Sequence, residues 1–480
     1  MAQGVVDVHS HLITPEFVSV LENEGRLMDE GFPLPKYDVR EHLRWMDEAG
    51  VQTSVLTLAA PQPSSSEIVR QTNEAAARIK REHPGRFLFC VTLPLPDVSK
   101  AICEAIYALD TLKADGIKLA TNVRNSESHQ ACLNGRVATD EDEVNVRNSE
   151  SHQACLNGRV ATDEDEVNVD GQYLGAPELD TLFSVLNERR AVIILHPHRP
   201  ETVNRQVMQQ TPLAMQEYLS ETTRAVTNMI SRNVLARYPN VKVVVPHCGA
   251  YLPLAIPRMK SLTPVMQANK MVGEIDYEAN LAALYYDLAG ARSPEVIRML
   301  LTITTPDHLL YGSDYPYVAP QVLTQSLARM KQYLSDEADL APFREMILHK
   351  NAQWLYGQTA EKPSAVSRTT DSMLFRLAEI EVDPQYLKEY LVAAAEIQKA
   401  SLAEEPGVVC LFPTQTKEDS TQIRILEIYA SQQAYQHHIQ TAHFQKYKQG
   451  TLHMVKSLKL QDLTPLAPEA MTKIFKRLQQ

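Results

Sequence analysis

VVDVHSH, residues 5–11, is an apolar, β-branched run that stops at two histidines one residue apart. The pattern returns in AVIILHPH (191–198), VKVVVPHCG (241–249) and HLLYGSDYPY (308–317). His9, His11, His196, His247 and Asp314 thus each fall at the end of a predicted strand. Strands that read as continuous apolar runs are buried on both faces, as in parallel α/β sheets. In a (β/α)8 barrel the chemistry gathers where strands meet the loops that follow them. Neutral imidazole and carboxylate suit zinc and related divalent ions, and a catalytic zinc keeps one position open for water or substrate. A lone buried histidine is more often a satisfied core residue. Four of them with an aspartate, all at strand ends, predict a metal-dependent enzyme.

The stretches between these strands support the same architecture. TSVLTLA (53–59) follows a helix at about 38–49, RFLFCVTLP (86–94) follows a long helix rich in Ala and Arg, and LYYDLAG (284–290) supplies strand 7. Helices are expected at roughly 97–113, 177–190, 212–238, 293–304 and 320–335. Eight strands alternating with helices are the βαβ signature of a parallel barrel. The fold class is therefore an α/β TIM barrel over residues 1–358.

A 23-residue unit, NVRNSESHQACLNGRVATDEDEV, occupies 122–144 and recurs unchanged at 145–167. Removing both copies leaves LATNVDGQYLG, a short loop after strand 4. Each copy carries five acidic and two basic residues, so the pair supplies −6 of the net charge of −12. The unit is polar with weak periodicity, which is the composition of a solvated segment. Two copies are too few for a solenoid. A loop there opens on the active-face end of a barrel, where lids occur, but a tolerated insert is the simpler expectation.

Composition bounds the rest. With 44% hydrophobic and 22% charged residues, the 480-residue chain reads as an ordinary soluble protein with ample core. Its negative charge argues against a nucleic-acid surface. No leader pattern precedes strand 1, and no apolar stretch approaches the roughly 18 residues of a membrane span, so a cytoplasmic location is expected. The six cysteines (Cys90, Cys103, Cys132, Cys155, Cys248 and Cys410) show no CxxC spacing and read as reduced thiols. Cys248, next to His247, is expected to pack beside its strand.

After Gly357 the polar stretch TAEKPSAVSRTTDS (359–372) reads as a linker to a second domain at 373–465. There LFRLAEIEV (374–382) is a strand, 384–405 a helix, GVVCLFPTQ and TQIRILEIY a hairpin, 431–448 a helix and HMVKSLKL (453–460) a strand. This βαββαβ order is ferredoxin-like α+β. On one continuous helix His438 and His443 would not share a face, so they are not expected to bind a metal together.

The pieces DVHSH, YDVREHLRWMDEAGV, GIKLATN, LHPH, PHCGAYLP and YGSDYPY occur in this order. Through them, residues from about 4 to 357 resemble the amidohydrolase superfamily, and within it the branch of aminocarboxymuconate-semialdehyde decarboxylase and related aromatic-acid decarboxylases. The resemblance implies that His9, His11, His196 and Asp314 bind one divalent metal ion, zinc being the expected one. It implies that His247 acts on metal-bound water or directly on substrate, with Asp314 doubling as ligand and proton acceptor. An imidazole titrates near neutrality, so it can take a proton in one step and return it in the next. His198 is expected either to bind substrate or to lie on the loop surface. In binuclear amidohydrolases a strand-4 lysine, here Lys118, is carbamylated and bridges two metals, whereas the decarboxylase-like branch uses one metal. That branch also binds the substrate carboxylate through an arginine upstream of the strand-2 helix. DEGFPLPKYDVREH offers no clear equivalent, with Lys36, Arg40 and Arg199 as substitutes.

Two activities stay open: non-oxidative decarboxylation of an aromatic or unsaturated carboxylic acid, and hydrolysis of an ester, lactone or amide. The expected partner is a small carboxylic acid, with no nucleic acid and no membrane, in a homodimer or higher homo-oligomer. The second domain, through EEPGVVCLF, RILEIYAS and YQHHIQTAHFQKYKQG, resembles the antibiotic-biosynthesis monooxygenase family of small quinol oxygenases. That resemblance implies a dimeric module needing no cofactor, with His443 as its histidine of interest. Oxygenation and simple dimerisation both remain open for it.

Overall fold

The computed structural model of the chain describes residues 4–63, 65–123, 172–200, 212–359, 373–405 and 407–465. The chain divides near residue 363 into two compact units. In the first, eight parallel strands follow one another around a single sheet: β1 (Val5–Leu12), β2 (Val51–Leu58), β3 (Phe87–Thr92), β4 (Gly116–Ala120), β5 (Val192–His196), β6 (Lys242–Val245), β7 (Leu284–Asp287) and β8 (Leu309–Leu310). The amides of Val8 and His11 donate to Tyr311 O and Tyr315 O at 3.0 and 2.7 Å, bringing the β8 edge back to β1. The result is the expected (β/α)8 barrel.

The strands alternate between two cores. Ile117, Leu119, Ile193 and Leu195 belong to the cluster shared with the helices, whereas Val192, Ile194, Val244, Tyr285 and Leu310 belong to an inner cluster. A register irregularity between Asp7 and Ser10 interrupts this alternation in β1. Val8 joins the inner cluster, and the next residue, His9, also turns inward toward Asp287. Asp7 instead faces the outer layer, where it accepts from the Ser54 and Ser313 hydroxyls.

Helix boundaries follow local chemistry. The helix Val39–Ala49 starts at Asp38, whose carboxylate accepts from the amides of Arg40 and Glu41, and stops at Gly50 in the left-handed region (φ 72°). The expected helix over 212–238 is broken into Leu213–Met215, Glu217–Ser231 and Val234–Arg237. A helix that the sequence reading omitted, Leu252–Ala268, follows the β6 turn and contains Pro257 and Pro264. Apart from Asn122 and Val123, the duplicated insert lies outside the described residues. Its flanks are joined: Asn122 bridges Tyr173 antiparallel, and Val123 N donates to Gln172 O at 2.8 Å.

The second unit is an antiparallel sheet of β9 (Leu374–Val382), β10 (Val408–Gln415), β11 (Gln422–Tyr429) and β12 (Val455–Leu463), in the order β10-β11-β9-β12. The helix Leu387–Glu404 packs Tyr390, Ala394 and Ile397 against Ile380, Val382 and Ile425. This is the ferredoxin-like arrangement expected. The single helix expected over 431–448 is two, Gln432–His438 and Ala442–Thr451, the second capped by Thr441, whose hydroxyl accepts from Phe444 N. Among the described residues no helix is long and apolar enough to cross a membrane.

Candidate active site

The barrel gathers the five predicted residues at the C-terminal ends of its strands, though not all on the strands themselves. His9 and His11 lie within β1, and His196 is the last residue of β5. His247 and Asp314 sit beyond β6 and β8, in turns where both adopt positive φ (53° and 68°). Such backbone is uncommon for residues with a Cβ and fixes where each side chain points.

The imidazoles are oriented by their second nitrogen. His9 Nδ1 lies 2.8 Å from Asp287 Oδ2, and His196 Nδ1 lies 2.8 Å from Pro197 O; both partners can only accept. His11 Nδ1 is 3.2 Å from the Thr57 hydroxyl, which already donates to Ser10 O and so accepts here. All three rings therefore carry hydrogen on Nδ1 and present a lone pair at Nε2. The ligand atoms of His9, His11 and His196 lie within 4.8 Å of one another. His9 Nε2 and His11 Nε2 are only 3.2 Å apart, two acceptors that need a proton or a cation between them. Asp314 Oδ1 adds a carboxylate 3.2 Å from His11 Nε2 and 3.5 Å from His9 Nε2. This donor set fits a divalent metal ion, with outer hydrogen bonds of the kind that hold metal-binding histidines in one tautomer.

His247 stands apart from that trio. Its Nε2 is 3.7 Å from Asp314 Oδ2, its amide donates to Asp287 Oδ1 at 3.0 Å, and its buried Nδ1 has no hydrogen-bond partner among the described residues. Burial alone opposes charge throughout the cluster, and the neighbours decide the outcome. His9 is buried, yet Asp287 and Asp314 raise its pKa to about 9. Burial lowers His11 to about 4 and drives His196 well below its ordinary value. Asp314 is half-buried, and although desolvation opposes its charge, His11 and His247 hold it well below the usual carboxylate range.

His198 is not on the surface. It is buried, with Nε2 2.9 Å from Glu30 Oε1, a close ion contact whose angle is too poor for an aligned hydrogen bond. Glu30 also accepts from Tyr218 OH at 2.7 Å and from the Arg199 amide at 3.0 Å. Burial would raise the Glu30 pKa, but His198 and these donors bring it to about 2. Lys118 points inward from β4, paired in register with Ile194 of β5, and burial lowers its pKa to about 8. Among the substitutes for the missing arginine, Lys36 and Arg40 are exposed, and Arg199 donates to Asp29 O. Cys248 donates to Ala289 O, and burial pushes its thiol pKa up, so it packs beside the site.

Three residues that contact the histidines of this region escaped the sequence reading. Asp287 ends a strand quoted only for its apolar run, Glu30 lies in a segment that reads as solvated loop, and Thr57 looks like any strand threonine. In the second unit the helix breaks between His438 and His443, so the same-face argument made for one continuous helix does not apply to them. With the chain turning at 439–441, His438 Nδ1 and His443 Nε2 both reach Glu405 Oε1, at 2.8 and 2.6 Å.

Comparison with known proteins agrees with this geometry. Residues 6–358 match the family described as amidohydrolase, and residues 373–450 match the antibiotic biosynthesis monooxygenase family. The chain is 28% identical over 352 residues to the decarboxylase yanB of Aspergillus niger, covering 70% of this chain and 83% of that protein. It is 25% identical over 320 residues to the 6-methylsalicylic acid decarboxylase of Penicillium expansum, covering 65% and 84%. The barrel is similar to the solved dihydroxybenzoic acid decarboxylase of Polaromonas sp. JS666 with bound manganese and the inhibitor 2-nitroresorcinol. That similarity has a TM-score of 0.56 and 17% identity, covering 75% of this chain and 99% of the other.

Proposed function

The chain belongs, through residues 6–358, to the amidohydrolase family, and from that premise we infer that it is a metal-dependent, non-oxidative decarboxylase of an aromatic carboxylic acid. The observation that carries this reading is the convergence of three Nδ1-tethered imidazoles and Asp314, with His247 beside them rather than among them. Relatives named as decarboxylases favour loss of carbon dioxide over hydrolysis.

His9, His11, His196 and Asp314 would hold one divalent ion, and zinc suits three imidazoles with one carboxylate. Such an ion supplies a Lewis acid for an anionic substrate oxygen. His247 holds the proton that is delivered to the ring carbon bearing the carboxylate. The carbon–carbon bond then breaks, its electron pair restores the ring, carbon dioxide departs, and the delivered proton stays on carbon. Solvent reprotonates His247, whose Nε2 lies 3.7 Å from Asp314 Oδ2. His198, held by Glu30, serves as a fixed wall of the substrate recess.

For the second unit we favour self-association. Phe412, Leu426, Leu458 and Leu460 are exposed on its strands, an apolar display suited to a second copy of the chain. The Glu405 contacts with His438 and His443 leave oxygenation of a phenol as the other reading. Oxygen uptake with phenols, measured beside solution mass, separates the two.

The main reading is tested with full-length, metal-analysed protein on a panel of hydroxybenzoates, lactones and esters. Carbon dioxide released one-for-one with a phenol is expected. Acid release from a lactone or ester without carbon dioxide would assign the site to hydrolysis instead.

A further inference from the structure

A buried lysine inside the barrel has no ion-pair partner of its own among the described residues. Lys118 is 2% exposed, and no hydrogen bond or ion pair reaches its ammonium among the described residues. Its register partners are Thr92 of β3 and Ile194 of β5, and Ala120, two residues on, pairs with His196. Lys118 is therefore one layer beneath the histidine cluster, on the inward face. Its nearest carboxylate influence is Glu30, which is already engaged by His198, Tyr218 and the Arg199 amide.

Removing an ammonium from water without a partner costs several kcal/mol, so a buried cation is ordinarily matched by an anion. Lys118 instead borders a recess at the mouths of β3, β4 and β5, together with Leu93, Leu95, Asn122 and His198. Leu93 and Leu95 give this recess apolar walls, and Asn122 and His198 give it polar edges.

We propose that Lys118 is the residue that anchors the substrate's carboxylate, taking the place of the arginine that the strand-2 segment lacks. The inference rests on the decarboxylase reading and adds to it the group that selects an anionic acid over the neutral phenol product. The carboxylate loses its charge as carbon dioxide leaves, so this contact is strongest in the bound acid and fades along the reaction. It supplies affinity and selectivity rather than rate.

The test compares wild-type protein with Lys118→Met, full-length and metal-loaded, for equilibrium binding of benzoate, 2-hydroxybenzoate and phenol. Loss of a charge-assisted contact predicts about 10- to 100-fold weaker binding of both acids. Phenol binding should be unchanged, metal content unchanged, and KM should rise far more than kcat falls. Equal weakening of acids and phenol, no weakening of either, or no binding of any benzoate by wild type would overturn the proposal. Metal loss in the variant would make Lys118 a metal-bridging group and overturn it too. If Lys118→Met does not fold, a wild-type crystal soaked with 2-hydroxybenzoate gives the answer. A carboxylate at about 3 Å from Lys118 Nζ is expected, and a carboxylate bound elsewhere refutes it. The two readings fail separately. Lys118-dependent binding without carbon dioxide release sinks decarboxylation and keeps the anchor, while decarboxylation indifferent to Lys118→Met does the reverse.

Discussion

Asp287 Oδ2 lies 2.8 Å from His9 Nδ1, while its other oxygen accepts the amides of His247 and Ala289 at 3.0 Å. One fully buried carboxylate thus sets the tautomer of His9 and holds the turn that carries His247. The two roles proposed for the site, holding a cation and moving a proton, share a single anchor at the end of β7.

Asp287→Asn removes the charge that orients His9 while keeping the side chain's size. Loss of such an outer partner typically lowers metal affinity about 10- to 100-fold. Competition against a chelator should show that drop, with activity restored by excess metal. Unchanged affinity would mean that His9 is positioned by packing alone.

His247→Asn should leave bound metal intact and reduce kcat by about 10²- to 10⁴-fold, the usual effect of removing a general acid or base. Elemental analysis beside kinetics checks it. Metal loss in proportion to rate would show that His247 is a ligand.

Gly312→Ala tests how tightly the site is built. A Cβ there would meet His9 Cβ at 2.9 Å and Asp287 Cβ at 3.1 Å, with backbone-proximal atoms that cannot swing away. Overpacking of this kind costs about 1–3 kcal/mol, and it should also lower metal content. A variant with wild-type melting and metal content would refute the packing argument.

Metal binding should release protons. In the metal-free protein Asp287 and Asp314 raise the His9 pKa to about 9, above the ordinary value of 6.5. That proton occupies the nitrogen a cation needs, so affinity should rise by about tenfold per pH unit from neutrality until pH passes about 9. The same raised pKa stabilises the metal-free fold fully below pH 6.5 and is lost as pH rises through about 9. Metal-free and metal-bound melting temperatures should therefore diverge between those limits. Calorimetry in buffers of different ionisation enthalpy counts the protons, and none released near pH 8 would contradict the assignment.

Excision of 124–169 should be silent. It joins Val123 to Asp170-Gly171-Gln172, and Val123 N already donates to Gln172 O beside the Asn122–Tyr173 bridge. Asp-Gly between paired strands is a favoured two-residue hairpin turn. Folding, metal content and rate should match the full chain, and a loss of rate would give the insert a role at the site.

What the sequence made legible was whatever announces itself by residue type at a strand end. His9, His11 and His196 are polar side chains breaking apolar runs, and the barrel follows from those runs. Asp287 breaks a similar run, but a lone carboxylate at a strand end resembles the start of any loop. Glu30 is invisible for a different reason: its partners, His198 and Tyr218, are more than 160 residues away, and only folding reveals that it is buried. The helix Leu252–Ala268 was hidden by Pro257 and Pro264, residues that ordinarily argue against a helix. In the second unit, continuous periodicity concealed the turn at 439–441, and with it the convergence of His438 and His443 on Glu405.

The irregular register of β1 gives this chain a vulnerability that substitution surveys would not detect. Because Val8 and His9 both face inward across the interruption between Asp7 and Ser10, the inward aim of the first two histidines depends on a count of residues. A regular strand of the same length, continuing the alternation of Val6 and Val8, would turn His9 and His11 toward the helices; the extra residue at the interruption is what brings them inward. A strand that lost the irregularity would keep every metal-type side chain and lose the site, so among related chains this interruption should be more constrained than the identity of the apolar residues around it.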